Sequence, residues 1–410
     1  MSHDLSNIPE RIKPHIEMQQ SNEEIVFFSG DFELRNDKNT IKISGEIIQT
    51  WNSGVTIVFK GKVDYFIVEI SGIWLIYIDG ENAGEGHISQ ISDNYMVGVV
   101  SSLQLGRPEE AIDTVKFSLL NGSYIYGDPV KKENGLSRDR LMFKNEAYEI
   151  IIDNRRDLSQ ITKELKTFGG YCITHYGEIR RHSGEIMLKE ATETAVVFSV
   201  FLCFVIGKRT NALFFHSCKS ETVINQKYIS THIPPYSYAT SWLPDYNHEG
   251  LNELWVNFYD KWNESDDNRD ILNTAIHWYI EANNNSGALE GAYIMAFSGL
   301  ELMYNVLIGK KVKHGKEKID KLSMYLNLAN IDGEKLCDVR NLIVHYGKNN
   351  RQEYSKLESD YKFDSLERCL LLLELSILKY LDYKGNFKNR TDGKLWVGES
   401  CQPVPWVNKN

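Results

Sequence analysis

Near residue 250 the spacing of apolar residues changes and does not change back. Before that point, TIKISGEII, VTIVFKG, YFIVEI and GIWLIYIDG cluster or alternate β-branched and aromatic side chains between Gly, Asn and Asp turns, as strands do. After it, apolar residues recur at helical spacing in LNELWVNFYDKW, ILNTAIHWYIEA, ALEGAYIMAFSGLELMYNVLI, EKIDKLSMYLNLA, EKLCDVRNLIVHY and SLERCLLLLELSILKYL. A chain of 410 residues is too long for one ordinary core. The expected fold is therefore multidomain α and β, a β-rich N-terminal domain followed by an all-α helical bundle.

The expected boundaries are 1–218 for the β-rich domain, 219–250 for a Pro-, Ser- and Tyr-rich linker or arm, 251–384 for the bundle and 385–410 for a polar tail. The third and sixth helical segments are apolar on nearly all sides and should sit at the bundle centre. Asn330 or Asp332 is placed to cap the fifth and Asp364 the sixth. In the first half, Asp79-Gly80 and Asn121-Gly122 are turn dipeptides, and DLSQITKELKTF reads as a short helix. The run AVVFSVFLCFVI fits either a buried helix or a central strand; at 12 residues it is too short to span a bilayer, and no membrane partner is expected.

Net charge is −10, which argues against broad coating of nucleic acid. From residue 251 onward 21 Lys and Arg meet 23 Asp and Glu, a net of −2, so the first 250 residues carry −8. A polyanion partner, if there is one, belongs to the second half. Six scattered cysteines and a polar N-terminus without a signal peptide point to a reducing cytoplasm.

Within the fifth helical segment, DVRNLIVHYGK places Arg340, Asn341 and His345 among apolar residues. Leu336, Val339, Ile343 and Tyr346 fall on one face, and Asp338, Asn341 and His345 on another. Arg340 is about 140° from His345 around an ideal helix, so the two meet only through the reach of Arg, a local distortion or a second copy of the helix. Chemically the set suits metal-free RNA cleavage, with no cofactor. The ribose 2′-OH is the nucleophile, an imidazole moves its proton, and a guanidinium braces the phosphate as charge builds. The products would be a 2′,3′-cyclic phosphate and a 5′-OH. The competing reading is a surface arginine and a histidine favoured at a helix C-terminus.

At RNLIVH the chain resembles the HEPN superfamily, whose nucleases carry R-x4–6-H with a polar residue after the arginine, in a late helix of an all-α domain. The segment ALEGAYIMAFSGLELMYNVLI, with Leu289-Glu290 and Glu301-Leu302, resembles the ApeA-type HEPN pattern. FFSGDFELRNDKNTIKISGEI is similar to the N-terminal domain of ApeA-like antiphage proteins. The resemblance implies a homodimer with paired motif helices, and an endoribonuclease cutting host RNA, plausibly tRNA, when a phage-derived protein trigger lifts its restraint. It gives Arg340, Asn341 and His345 the catalytic positions. HEPN nucleotidyl-transferring toxins have a tyrosine two residues after the histidine, where this chain has Tyr346-Gly347. Two rivals stay open: a non-catalytic HEPN adaptor or RNA-binding module, and such a transferase.

Glu290 and Asp338 are candidate supporting groups, Glu290 because an acid in so apolar a helix needs a partner. Glu301 reads as structural. The densest basic run, KKVKHGKEKIDK, supplies Lys310, Lys311, Lys313, Lys316 and Lys318 as RNA contacts, extended by Lys348 and Arg351. Cys172, His175, His216 and Cys218 can be drawn as a zinc tetrad, but Cys and His serve more often as small core residues, and no metal is expected. IYGDPVKKENG lacks the spacing of a phosphate-binding Walker loop.

Overall fold

The computed structural model describes residues 7–407, apart from 52–53, 64–70, 108–109, 134, 285–287, 330, 346 and 393–400. The YFIVEI strand candidate, the Asn330 cap and Tyr346 lie outside the described residues.

Six strands come first: β1 (Ile25–Arg35), β2 (Thr40–Thr50), β3 (Thr56–Val63), β4 (Trp74–Ile78), β5 (Glu81–Ser92) and β6 (Tyr95–Gly106). They pair in the order β3-β2-β1-β4-β5-β6, and β6 pairs back onto β3, so this part closes into a barrel. Closure removes the open edges that an antiparallel sheet of this size would otherwise present. Asp79 and Gly80, with φ of 50° and 84°, form the two-residue turn between β4 and β5 that the sequence marks. Phe32, Ile43, Phe59, Trp74, Ile76 and Met96 fill the interior. Gly98 is required there, since a Cβ would lie 2.2 Å from the Phe59 ring.

The sheet then runs on. The far half of β6 pairs with β13 (Thr222–Ile229), and beyond it lie β12 (Ala212–Lys219), β7 (Thr114–Leu120), β11 (Ile173–Arg181), β10 (Tyr148–Asn154), β9 (Gly135–Lys144) and β8 (Asp128–Lys132). The region 219–250 is therefore not simply a linker: β13 is the strand that joins barrel to sheet. The residues after β13 are packed rather than free, with Trp242 buried and its Nε1 donating to the Phe204 carbonyl at 3.0 Å.

DLSQITKELKTF forms α1 (Leu158–Phe168), and the ambiguous apolar run is the body of α2 (Leu188–Ile206). Helix α2 lies between the sheet and the C-terminal helices. Phe198 meets Phe117 and Phe143 on the strands and Trp255 on the other side. Its Thr192 and Ser199 hydroxyls donate to carbonyls four residues back, which removes the cost of burying them.

The bundle contains α3 (Leu251–Glu264), α4 (Asp266–Asn283), α5 (Ala288–Leu307), α6 (Gly315–Tyr325), α7 (Gly333–Val344), α8 (Lys348–Lys356) and α9 (Ser359–Tyr380). Helices α5 and α9 pack on each other at its centre, as their all-round apolar character requires. Asp332 caps α7, but α9 begins at Ser359, so Asp364 lies inside that helix rather than before it. The tail is not loose. A hairpin of β14 (Asn386–Lys388) and β15 (Cys401–Pro403) buries Phe387 and Val404 against the bundle. One core runs from β7 through α2 to Val404, and a second fills the barrel. All six cysteines are free, five of them buried.

Candidate functional site

Helix α7 is held at its start by Asp332, whose Oδ1 accepts from the Glu334 and Lys335 amides at 3.1 and 3.2 Å. Leu336, Cys337 and Val339 bury one face, and the Leu336 carbonyl accepts from the Tyr293 hydroxyl of α5 at 3.0 Å. Burial pushes the Cys337 thiol up to about 11, so it is a packing group.

The other face carries the motif. Asp338, Asn341 and His345 are exposed, and Arg340 is half-buried, with Nη1 donating to Asn341 Oδ1 at 3.2 Å. The helix ends one residue before the histidine. The His345 amide still donates to the Asn341 carbonyl at 2.9 Å, but its φ and ψ of −85° and 93° are extended. The Asn350 side chain of α8 donates to the His345 carbonyl at 2.7 Å and fixes that exit. The sequence expectation that His345 continues the helix is corrected: its position is set by the break and by α8, not by the 100° step of a helix.

The supporting groups divide. Glu290, on the first turn of α5, is exposed and bonded to the Tyr354 hydroxyl of α8, which burial first and this carboxylate second push well above the phenol range. Its partner in the structure is thus Tyr354, not Arg340. Glu301 accepts from Lys318 at 3.2 Å, and Lys316 pairs with Glu334, so these two lysines brace α6 against α5 and α7. Lys310, Lys311 and Lys313 are exposed in the loop before α6. Arg351 is exposed on α8, the helix that Lys348 begins.

The zinc tetrad does not assemble. Among the described residues no three His, Cys, Asp or Glu side chains are grouped to hold a metal ion. His216 bonds the Tyr228 hydroxyl at 3.0 Å, His175 bonds Thr174 Oγ1 at 3.0 Å, and Cys172 Sγ accepts from Arg155 at 3.5 Å. Burial pushes both histidines down to about 4, so they are neutral core groups.

One polar cluster has no counterpart among the residues that the sequence singles out. Arg390, buried by the C-terminal segment, pairs with Glu367 at 3.3 Å and Glu374 at 3.7 Å, and donates to Asn283 Oδ1 at 2.7 Å. Tyr279 donates to Glu374 at 2.7 Å. Burial pushes the Glu374 carboxyl up to about 7 against the pull of Arg390. The available signal was the lone acid in LLLLELSIL, which needs a buried partner.

Comparison with known proteins divides the chain in the same way. Residues 107–239, from β7 past β13, match the YopA central domain family, and residues 265–335 and 316–402 match the YopA C-terminal domain family. The barrel strands end at Gly106, just before the first match begins. Over nearly its whole length the chain is similar to the SPbeta prophage-derived uncharacterized protein YopA of Bacillus subtilis (strain 168), at 24% identity across 95% of this chain and 96% of that one. No solved structure matches. Among the described residues, no helix is long and apolar enough to cross a membrane.

Proposed function

We propose that the bundle is a HEPN-type ribonuclease domain and that this ApeA-like chain is a cytoplasmic, metal-independent endoribonuclease of antiphage defence. The observation that carries the reading is that Arg340 is half-buried and Asn341 and His345 are exposed in the last turns of one helix, which His345 leaves in an extended conformation. Among the described residues the Arg340 side chain bonds only that of Asn341, and the His345 ring bonds no side chain, so packing does not explain the set. An exposed imidazole can take the 2′-OH proton, and a guanidinium held by its neighbouring amide can meet a phosphate oxygen.

A strand of RNA lying across this end would meet Lys310, Lys311, Lys313 and Arg351 as electrostatic contacts, which position without reading sequence. A second copy of the chain docking at this end, as the resemblance implies, would give a homodimer with paired motifs. The similarity to a prophage-derived protein agrees with a place in conflicts between phage and host.

The test is to incubate the purified chain with total RNA in chelator and map new ends. The expected result is 5′-OH ends paired with 2′,3′-cyclic phosphates on RNA and none on DNA of the same sequence. Labelling of a protein by ATP and magnesium, with RNA untouched, would replace this reading by a nucleotidyl transferase. RNA binding without cleavage would leave an adaptor.

A further inference from the structure

The N-terminal segment 7–24 straps across the sheet before entering β1. Its Ile12 amide donates to Asp153 on β10 at 2.7 Å, and its His15 ring bonds the Phe214 carbonyl at 2.9 Å. Between this strap, the end of β8 and the turn into α1 lies a cavity of about 840 Å³. That is within the range that holds drug-sized ligands.

Its lining carries six cations against four carboxylates, in a chain whose net charge is −10. Three of the carboxylates are already neutralised at the rim: Glu10 by Lys131 at 3.2 Å, Glu133 by Arg156 at 2.5 Å and Asp157 by Arg155 at 2.5 Å. Lys13 and Lys132 have no ion pair among the described residues, and only Glu17 stands opposite them as an unpaired acid. Asp157, the residue before α1, turns its carboxylate to Arg155 and makes no side-chain cap; the Leu158 and Gln160 amides bond backbone carbonyls, so the charge of the cavity comes from its side chains.

The apolar side of the cavity is Ile12, Pro14, Met18 and Tyr176, of which Pro14 is exposed and Met18 fully buried. Tyr176 is only 4% exposed, yet its hydroxyl has no hydrogen-bond partner among the described residues. Arg155, Glu17 and Asp157, whose charges act on this phenol, line the same cavity as Tyr176. Burial pushes this phenol up to about 12, so it stays a donor. A phenol donor with no acceptor among the described residues, lining a space that holds two lysines outside any ion pair, is what an anionic ligand would complete.

We propose that this cavity binds a free, mononucleotide-sized phosphomonoester, with the phosphate on Lys13 and Lys132, the body of the ligand along Ile12 and Pro14, and Tyr176 donating to the ligand. The site is built from other elements than those carrying Arg340 and His345. Its test reads no RNA cleavage and so stands or falls apart from the nuclease reading.

Isothermal titration of the full chain with AMP, GMP, CMP, UMP, adenosine and inorganic phosphate decides it. Saturable binding of at least one nucleoside monophosphate is expected, at least tenfold tighter than either adenosine or inorganic phosphate. Lys13→Glu with Lys132→Glu should weaken it at least tenfold, and Tyr176→Phe by roughly two- to tenfold, the worth of one hydrogen bond. Lys189→Glu, an exposed change on α2, should leave it unmoved. No saturable binding at millimolar concentration, equal affinity for inorganic phosphate, or indifference to the lysine pair would overturn the proposal. Both lysines are exposed, so if Tyr176→Phe fails to fold the lysine pair alone gives the answer.

Discussion

Two arginines of the C-terminal part have similar companions and opposite situations. Arg390 is buried, with two carboxylates, an amide side chain and the Thr240 carbonyl around its guanidinium. Arg340 is half-buried at a helix end, bonded to the amide of the next residue and standing five positions before an exposed histidine. The first ties the C-terminal segment to α4 and α9; removing it should damage the fold. The second ties nothing across elements; removing it should damage only what the surface does. A charged residue enclosed by ion pairs of its own chain is architecture, and one left partly open to solvent on the helix that ends at a histidine is available for chemistry.

The comparison is broken most severely at Arg390. Arg390→Met leaves Glu367 and Glu374 buried without a cation, and urea unfolding should show a loss of about 3–5 kcal/mol. Glu374 sharpens this through pH. Its folded carboxyl is raised to about 7 from 4.5, so the folded chain binds the extra proton and this group's contribution weakens as pH rises through that window. The Arg390→Met loss should therefore be smaller at pH 5 than at pH 8.

The buried histidines give a pH-dependent effect of comparable size, with the opposite sign. His175 and His216 are lowered from 6.5 to about 4, so the unfolded chain takes up protons first. Their contribution is present above pH 6.5 and is lost as the pH falls toward 4, with a slope approaching about 1.4 kcal/mol per pH unit for each. Denaturant midpoints between pH 7 and 4.5 should fall accordingly, and His216→Asn should reduce the slope by one proton.

Asp332→Ala, at the cap of α7, should cost about 1 kcal/mol by thermal unfolding. Arg340→Ala and His345→Ala, with no side-chain partner on another helix among the described residues, should each stay within about 0.5 kcal/mol of the parent. A large loss at either would erase the contrast with Arg390.

The sequence displays the bundle because its helices are amphipathic or apolar throughout, and periodicity reports that directly. It hides α8, since KNNRQEYSK has no apolar face to announce a helix. The end of α7 is legible only in Gly347, two residues beyond the histidine, while the apolar pattern runs on through Ile343 and Val344. Strand β13 is masked by the Pro- and Ser-rich residues after it, and its pairing with β6 joins positions more than a hundred residues apart, which no local pattern encodes. Arg390 and Glu374 lie only 16 residues apart and each is plain in the sequence, but only the packed tail brings them together. The motif residues themselves are legible, whereas the partner of Glu290 and the bracing by Lys316 and Lys318 depend on how α5, α6 and α8 lie against α7.

The central claim is that Arg340 and His345 act on one phosphodiester. Rates of 5′-OH end formation for Arg340→Ala, His345→Ala and the double variant test it most directly. Each single change should slow cleavage by about 10²–10⁴-fold with unfolding unaltered, and the double change should cost much less than the product of the two. Single variants that cut RNA at the parental rate would contradict the account.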